Sequence, residues 1–356
     1  MNRERYEWAD FAKGFAMIAV ILNHSEGLIY PANSSIIMHS IYSVSLFIFV
    51  AGITSAISIS SKSKIDARYI LKRLNSIIIP YFFATLVYHI INNNYRFDLT
   101  LFRQQIFEFS ASGAFYFVAF FIQLVIISTV LYSLFKINGS ILKQIFILLV
   151  IYFIASKYLN NFTSIGSIPL GGGKLLGGSY LFSFSLGMFF YMRRTLIAGK
   201  VAIGCLILSA ISIFVIEYKS LLHLAWSNPP NKFALVYAFT IFGIIYSCYA
   251  VYSDYFSKYK MNYLKKLLNI VNYIGKNSLY IFLYHLLFLS LGQKYNLITL
   301  IFKHRLDSLT LINSLWYIFC AIVPPILMSR FSEFLKPKLL KLTFWNDASV
   351  VEKQNK

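Results

Sequence analysis

Lys13 and His24 lie in the run Asp10-Phe-Ala-Lys-Gly-Phe-Ala-Met-Ile-Ala-Val-Ile-Leu-Asn-His24, an otherwise largely apolar stretch of membrane-spanning length. An ionisable side chain in the hydrocarbon layer is expensive, which by itself makes His24 a functional-site candidate. Ten residues, roughly three helical turns, separate it from Lys13, so on a helix the two face broadly the same direction. A cation at one end of a helix and a proton acceptor deeper along it suit a donor that carries phosphates in the cytosol and delivers a group outward. The ammonium would meet phosphate and the imidazole would act as general base.

A second histidine belongs with the first. Counted from Val271 at ~1.5 Å per residue, His285 reaches roughly the depth of His24, about 21 Å across, which invites a shared site. Glu26, just past His24, and His39 and Tyr116, near the outer ends of their stretches, fall at a similar level. The competing reading is structural, because a membrane histidine can simply hydrogen-bond between helices for well under 2 kcal/mol. His89 lies close to the outer boundary, and His223 and His304 read as solvated loop residues. Lys72 and Arg73 precede an apolar stretch, where basic side chains ordinarily snorkel to the interface.

The elements that must hold these residues are membrane helices. The chain has 356 residues, 58% hydrophobic, 18% aromatic and only 13% charged, far too apolar for a soluble domain. The expected fold is all-α and polytopic. About ten stretches approach the length needed to cross ~30 Å of hydrocarbon: Asp10–Ile29, Ile36–Ile57, Leu74–Ile91, Gly113–Leu134, Ile145–Ala155, Leu176–Tyr191, Val201–Ile216, Phe233–Tyr252, Val271–Gly292 and Ser314–Met328. The N-terminus reads directly into the first of them, with no cleavable signal. Cys205, Cys248 and Cys320 lie within apolar stretches without paired spacing, so they read as core residues rather than as disulfides or metal ligands.

The net charge of +20 does not point to nucleic acid, since the basic residues sit mostly in gaps between apolar runs rather than on a soluble face. Sorted onto alternating sides of ten spans, 24 Lys and Arg fall on the side of the N-terminus and 9 on the other. Basic residues accumulate in cytoplasmic loops, so both termini are expected in the cytoplasm. The opposite loops run to about 20 residues and carry the turn formers Asn92-Asn-Asn94, Gly171-Gly-Gly173 and Asn228-Pro-Pro230. Residues 1–335 form the expected membrane domain and 336–356 a basic cytoplasmic tail.

The first stretch resembles that of the acyltransferase-3 family of integral membrane acyltransferases, whose opening helix carries a basic residue, ten further residues, then histidine. Lys13 stands where arginine is more usual. Four further segments agree in the family's order. Ser45-Leu-Phe-Ile-Phe-Val-Ala-Gly52 resembles its phenylalanine-rich run ending in Ser-Gly, with Ala51 where serine is common. Lys72-Arg73 ahead of Pro80-Tyr81 resembles its basic stretch before Pro-Tyr, with Ser76 where a second arginine is often found. Ala114-Phe-Tyr116-Phe resembles its aromatic motif, and Gly275-Lys-Asn-Ser278 through His285 its Gly-x-x-Ser…His segment.

The resemblance implies transfer of an acyl group, most often acetyl, from cytoplasmic acyl-coenzyme A to a carbohydrate hydroxyl on the far side of the inner (cytoplasmic) membrane, within the membrane domain itself. It implies no bound cofactor, with acetyl-CoA as co-substrate. His24 would be the general base or an acylated relay with Glu26 as orienting partner, Lys13, Lys72 and Arg73 would meet coenzyme A phosphates, and His285, Tyr116 and His39 would shape the acceptor pocket. Lysine lacks the bidentate fork of arginine, so Lys13 would hold phosphate as a point charge. The competing class is a transporter or flippase of glycolipid or polysaccharide intermediates, which more often shows two symmetric halves with broken helices. A polysaccharide polymerase would carry a large extracytoplasmic loop. The charge asymmetry makes a direct prediction. A cytoplasm-only reporter fused at Ser61, Gly199 or Tyr259 should be active and one at Asn93, Gly172 or Asn228 silent, and the reverse at any two sites would sink the ten-span reading.

Overall fold

The computed structural model describes residues 7–29, 40, 42–62, 65–137, 139–162, 164–165, 168–169, 174–193, 200–218, 232–255, 262–295 and 311–342. Twelve α-helices run through these residues: α1 (Glu7–Asn23), α2 (Ser43–Ser60), α3 (Ala67–Asn92), α4 (Leu99–Glu108), α5 (Tyr116–Ile137), α6 (Ile141–Lys157), α7 (Tyr180–Met192), α8 (Lys200–Tyr218), α9 (Lys232–Tyr255), α10 (Asn262–Lys276), α11 (Ser278–Lys294) and α12 (Leu311–Leu342). The only other ladder among them is a pair of two-residue antiparallel strands, Ser164–Ile165 against Ile168–Pro169. The all-α expectation holds, and each of the ten apolar stretches falls on one or more of these helices. Polar residues set their starts where the sequence offers them. Asp66 caps α3 by accepting from the Tyr69 amide at 2.8 Å, and Asp98 caps α4 through the amides of Thr100 and Leu101.

Over the described residues alone, five helices are long and apolar enough to cross a membrane, at Ser43–Ser60, Ala67–Asn92, Gly113–Ile137, Ile141–Asn161 and Ile312–Phe334, and a sixth follows if one bent pair counts as a span. Their outer faces are apolar and open: on α6, Leu142, Phe146 and Leu149 are 75%, 67% and 59% exposed. Exposed apolar surface on that scale needs lipid. The helix α12 continues through Pro337 to Leu342.

The bent pair corrects the ninth expected span. Val271–Gly292 is not one straight helix: α10 and α11 meet at Asn277 at 83°. The cause is legible in α10, the most strongly amphipathic of the described helices, which sets Lys265, Lys266, Asn269 and Lys276 among Leu264, Leu268, Val271 and Ile274. Such a helix suits the membrane interface rather than the hydrocarbon. The depth of His285 counted from Val271 therefore has no meaning as a single run. His285 lies seven residues into α11, roughly 10 Å along its own axis.

The core forms around α1 and α2. The helix α2 is buried along most of its length, packing on α1, α5, α7 and α9, while α1 packs on α2, α9, α10 and α11. Two of these crossings bring backbones into direct contact. A Cβ on Gly52 would fall on the carbonyl of Phe184, and one on Gly187 on that of Phe49, locking α2 against α7. The same reciprocity ties α1 to α10, where Gly14 meets the carbonyl of Val271 and Gly275 that of Asp10. Between membrane helices, where lipid offers no hydrophobic drive, such close approach is a main source of attraction. Gly187→Val and Gly275→Val are each expected to destabilise the protein by at least about 1–3 kcal/mol, read as a lower thermal midpoint in detergent. Gly204→Ala on α8, whose added carbon meets open space, is the control, and a Gly275→Val protein as stable as it would show that the crossing is not tight.

Candidate functional site

The site divides between the two ends of α1. At its N-terminal end Lys13 pairs with Asp10 at 3.3 Å, one turn earlier on the same helix. Arg73, seven residues past the cap of α3, reaches the same cavity from another direction. Its guanidinium donates to Ser55 Oγ on α2 at 2.6 Å and to Ser128 Oγ on α5 at 3.2 Å, and lies 5.8 Å from the Tyr69 ring centroid. Neither hydrogen-bond partner is acidic. Among the described residues this half-buried guanidinium is hydrogen-bonded to hydroxyls, and a cation in a region of reduced dielectric is a standing attraction for an anion.

Lys13 and Arg73 line one cavity of about 220 Å³, together with Thr54, Ser76, Phe117 and Phe282. This volume takes part of a ligand of ordinary size, with the remainder outside. Lys72, expected beside Arg73, is exposed and does not line this cavity. Ser76, at the position where the resembled motif often has a second arginine, does line it, with its hydroxyl turned back onto the Arg73 carbonyl at 2.6 Å.

At the other end of α1 the helix finishes at Asn23, and His24 extends the pattern by one residue through its amide to Val20 O at 3.1 Å. A tight turn then reverses the chain. Buried Ser25 donates to Ile21 O at 2.5 Å, its own carbonyl accepts the amides of Leu28 and Ile29, and Gly27 takes a positive φ of 74° that favours glycine. This leaves the His24 side chain exposed and Glu26 half-buried in the turn beyond it.

His285 reaches His24 from α11. The two ring centroids stand 5.2 Å apart with the planes tilted by 44°. His285 is fully buried, and its Nδ1 lies 2.8 Å from Phe282 O and 3.1 Å from Ile281 O. A carbonyl oxygen can only accept, so Nδ1 carries the proton and Nε2 a bare lone pair. That Nε2 is buried without a hydrogen-bond partner among the described residues.

Phe282 joins the two ends. Its ring lines the cation cavity, lies 4.4 Å from the Phe117 ring at a tilt of 42° and 5.8 Å from the His285 ring. The structure thus brings together Lys13 with Arg73, and His24 with His285. Tyr116 begins α5 one residue before Phe117, half-buried, in contact with Phe120 and with the hydroxyl of Tyr180. His39 lies outside the described residues. His89 is saturated: Nδ1 donates to Gln105 Oε1 at 2.9 Å and Nε2 accepts from the Asp98 amide at 3.0 Å, a clamp between α3 and α4. Ser55, Ser128 and Phe282 are not distinguished in the sequence, since serine and phenylalanine are ordinary in apolar helices and only their contacts set them apart.

A family model described as an acyltransferase domain, acyltransferase-3, matches residues 6–330. No curated protein and no solved structure matches the chain.

Proposed function

The chain belongs to the acyltransferase-3 family, and from that premise we propose that it moves an acyl group, in our reading acetyl, from cytosolic acyl-coenzyme A to a hydroxyl of a surface polysaccharide or its lipid-linked precursor. The observation that carries this reading is the continuity of the site. A cavity with two cations, Lys13 and Arg73, ends on Phe282, and Phe282 touches His285, which faces His24. Phosphates of the donor would lie with Lys13 and Arg73, and the extended pantetheine arm would carry the thioester along α1 toward His24. Lys72 would serve the donor only from outside the cavity, as a surface charge. Tyr116 and His39 would flank the acceptor, and Glu26 would support His24 from its turn.

The chemistry asks one thing of His24 in two steps. As the acceptor oxygen attacks the thioester carbonyl, the imidazole takes the hydroxyl proton; as the carbon–sulfur bond breaks, it returns that proton to the departing thiol. An ester and free coenzyme A result, with His24 unchanged. In our reading ten helices cross the inner membrane with both termini in the cytoplasm, so that the cation cavity opens to the donor pool and His24 to the acceptor side. The 24-to-9 distribution of Lys and Arg supports that sidedness.

Two substitutions test this reading. His24→Gln keeps hydrogen bonding but cannot carry the proton, and is expected to lower acyl transfer in membranes by ~10²–10⁴-fold at normal protein level. An active His24→Gln enzyme would overturn the assignment of His24 and reopen the choice between enzyme and flippase. Lys13→Ala is expected to raise the apparent KM for acyl-coenzyme A, and Lys13→Arg to retain activity because the fork suits phosphate. If Lys13→Ala leaves both kinetic parameters unchanged, the residue is an interfacial anchor and nothing more.

A further inference from the structure

The lone pair on His285 Nε2 has no partner among the described residues, and the atom is closed to water. A buried acceptor without a partner loses the solvation it would have in water, so a neighbouring group is expected to satisfy it. A second imidazole, that of His24, stands 5.2 Å away between centroids, a separation that leaves room for one N–H···N contact of about 3 Å between ring edges. The obstacle is orientation, with the planes 44° apart. His24 can remove it. Its side chain is exposed, and rotation of an imidazole about its Cβ–Cγ bond is a soft, broad torsion.

We propose that His285 is a positioning residue for His24 rather than part of the acceptor pocket: its Nε2 accepts the N–H of the His24 imidazole and so fixes which nitrogen of His24 is bare. The tautomer of His285 is set by geometry, since Phe282 O and Ile281 O hold the proton on Nδ1 and leave Nε2 able only to accept. With one His24 nitrogen committed as donor, the other keeps its lone pair directed at the open side of the ring. No proton leaves His24 in this pairing. When the open nitrogen takes the hydroxyl proton, the hydrogen bond to His285 persists and strengthens, because its donor is then charged. Buried among protein groups, a neutral imidazole does here what a carboxylate does for a catalytic histidine elsewhere, holding tautomer and ring orientation.

This inference rests on the proposed role of His24, and the experiment keeps the two apart by reading His24 without turnover. Purified wild-type protein and variants in detergent are treated with diethyl pyrocarbonate, which acylates a bare imidazole nitrogen, and the rate at His24 is followed by peptide mass spectrometry. His285→Phe fills the space without an acceptor and is expected to slow modification of His24 several-fold; His285→Gln, whose Oε1 can reach the place of Nε2, is expected to restore it. In membranes the same pair is expected to separate by kcat, with His285→Phe down about tenfold or more at unchanged KM for acyl-coenzyme A and His285→Gln within a few-fold of wild type. If His285→Phe fails to insert, His285→Leu serves the same comparison. Equal His24 modification rates in wild type and in the Phe or Leu variant would overturn the pairing, as would a Gln variant modified as slowly as the Phe or Leu one. Failure of the proposed reaction is seen separately, as an active His24→Gln enzyme.

Discussion

The direct contact between the backbones of α1 and α10 is the constraint on which the site depends. Gly14 and Gly275 each present their Cα to the other helix's carbonyl, at Val271 and Asp10, so the two backbones meet directly. The position of α11 follows from that contact, because α11 leaves α10 at Asn277 through a fixed bend of 83°. The meeting of His285 with His24 is therefore set far from either ring, by two glycines and one turn. Larger residues at either glycine would push α10 outward and carry α11, with His285, away from α1.

Electrostatics is arranged with similar economy. Apolar membrane helices offer few polar atoms, and those around Arg73 are two hydroxyls on different helices, Ser55 and Ser128. They fix the direction of the guanidinium without neutralising it, which a carboxylate would do. Lys13 differs, since Asp10 already lies 3.3 Å from its Nζ. Of the two cations in the cavity Arg73 thus exerts the stronger pull on an anion, although Lys13 stands in the more recognisable sequence motif.

Elsewhere polar groups serve the fold. The imidazole of His89 is used up by Gln105 and Asp98. Gln144, buried on α6, donates to Phe135 O at 2.7 Å and accepts from Arg193 Nε at 2.8 Å, tying three helices at one end of the bundle. These residues contrast with His285, whose Nε2 has no hydrogen-bond partner among the described residues and whose ring lies beside that of His24.

The sequence by itself determined where helices form and which residues share a helix face, because both follow from local periodicity and from the cost of placing polar groups in lipid. Lys13 on α1 and His24 just past its end were legible in that way, as were the all-α class and, in its Lys and Asn positions, the amphipathic character of α10. The bend at Asn277, which divides the ninth apolar stretch into α10 and α11, was less legible. Only the tertiary structure decided that Arg73, and not Lys72, enters the cavity, that His285 faces His24, and that Phe282 connects them. Such contacts depend on how closely helices distant in the chain can pack, which is set by small residues and bends that carry no chemistry of their own.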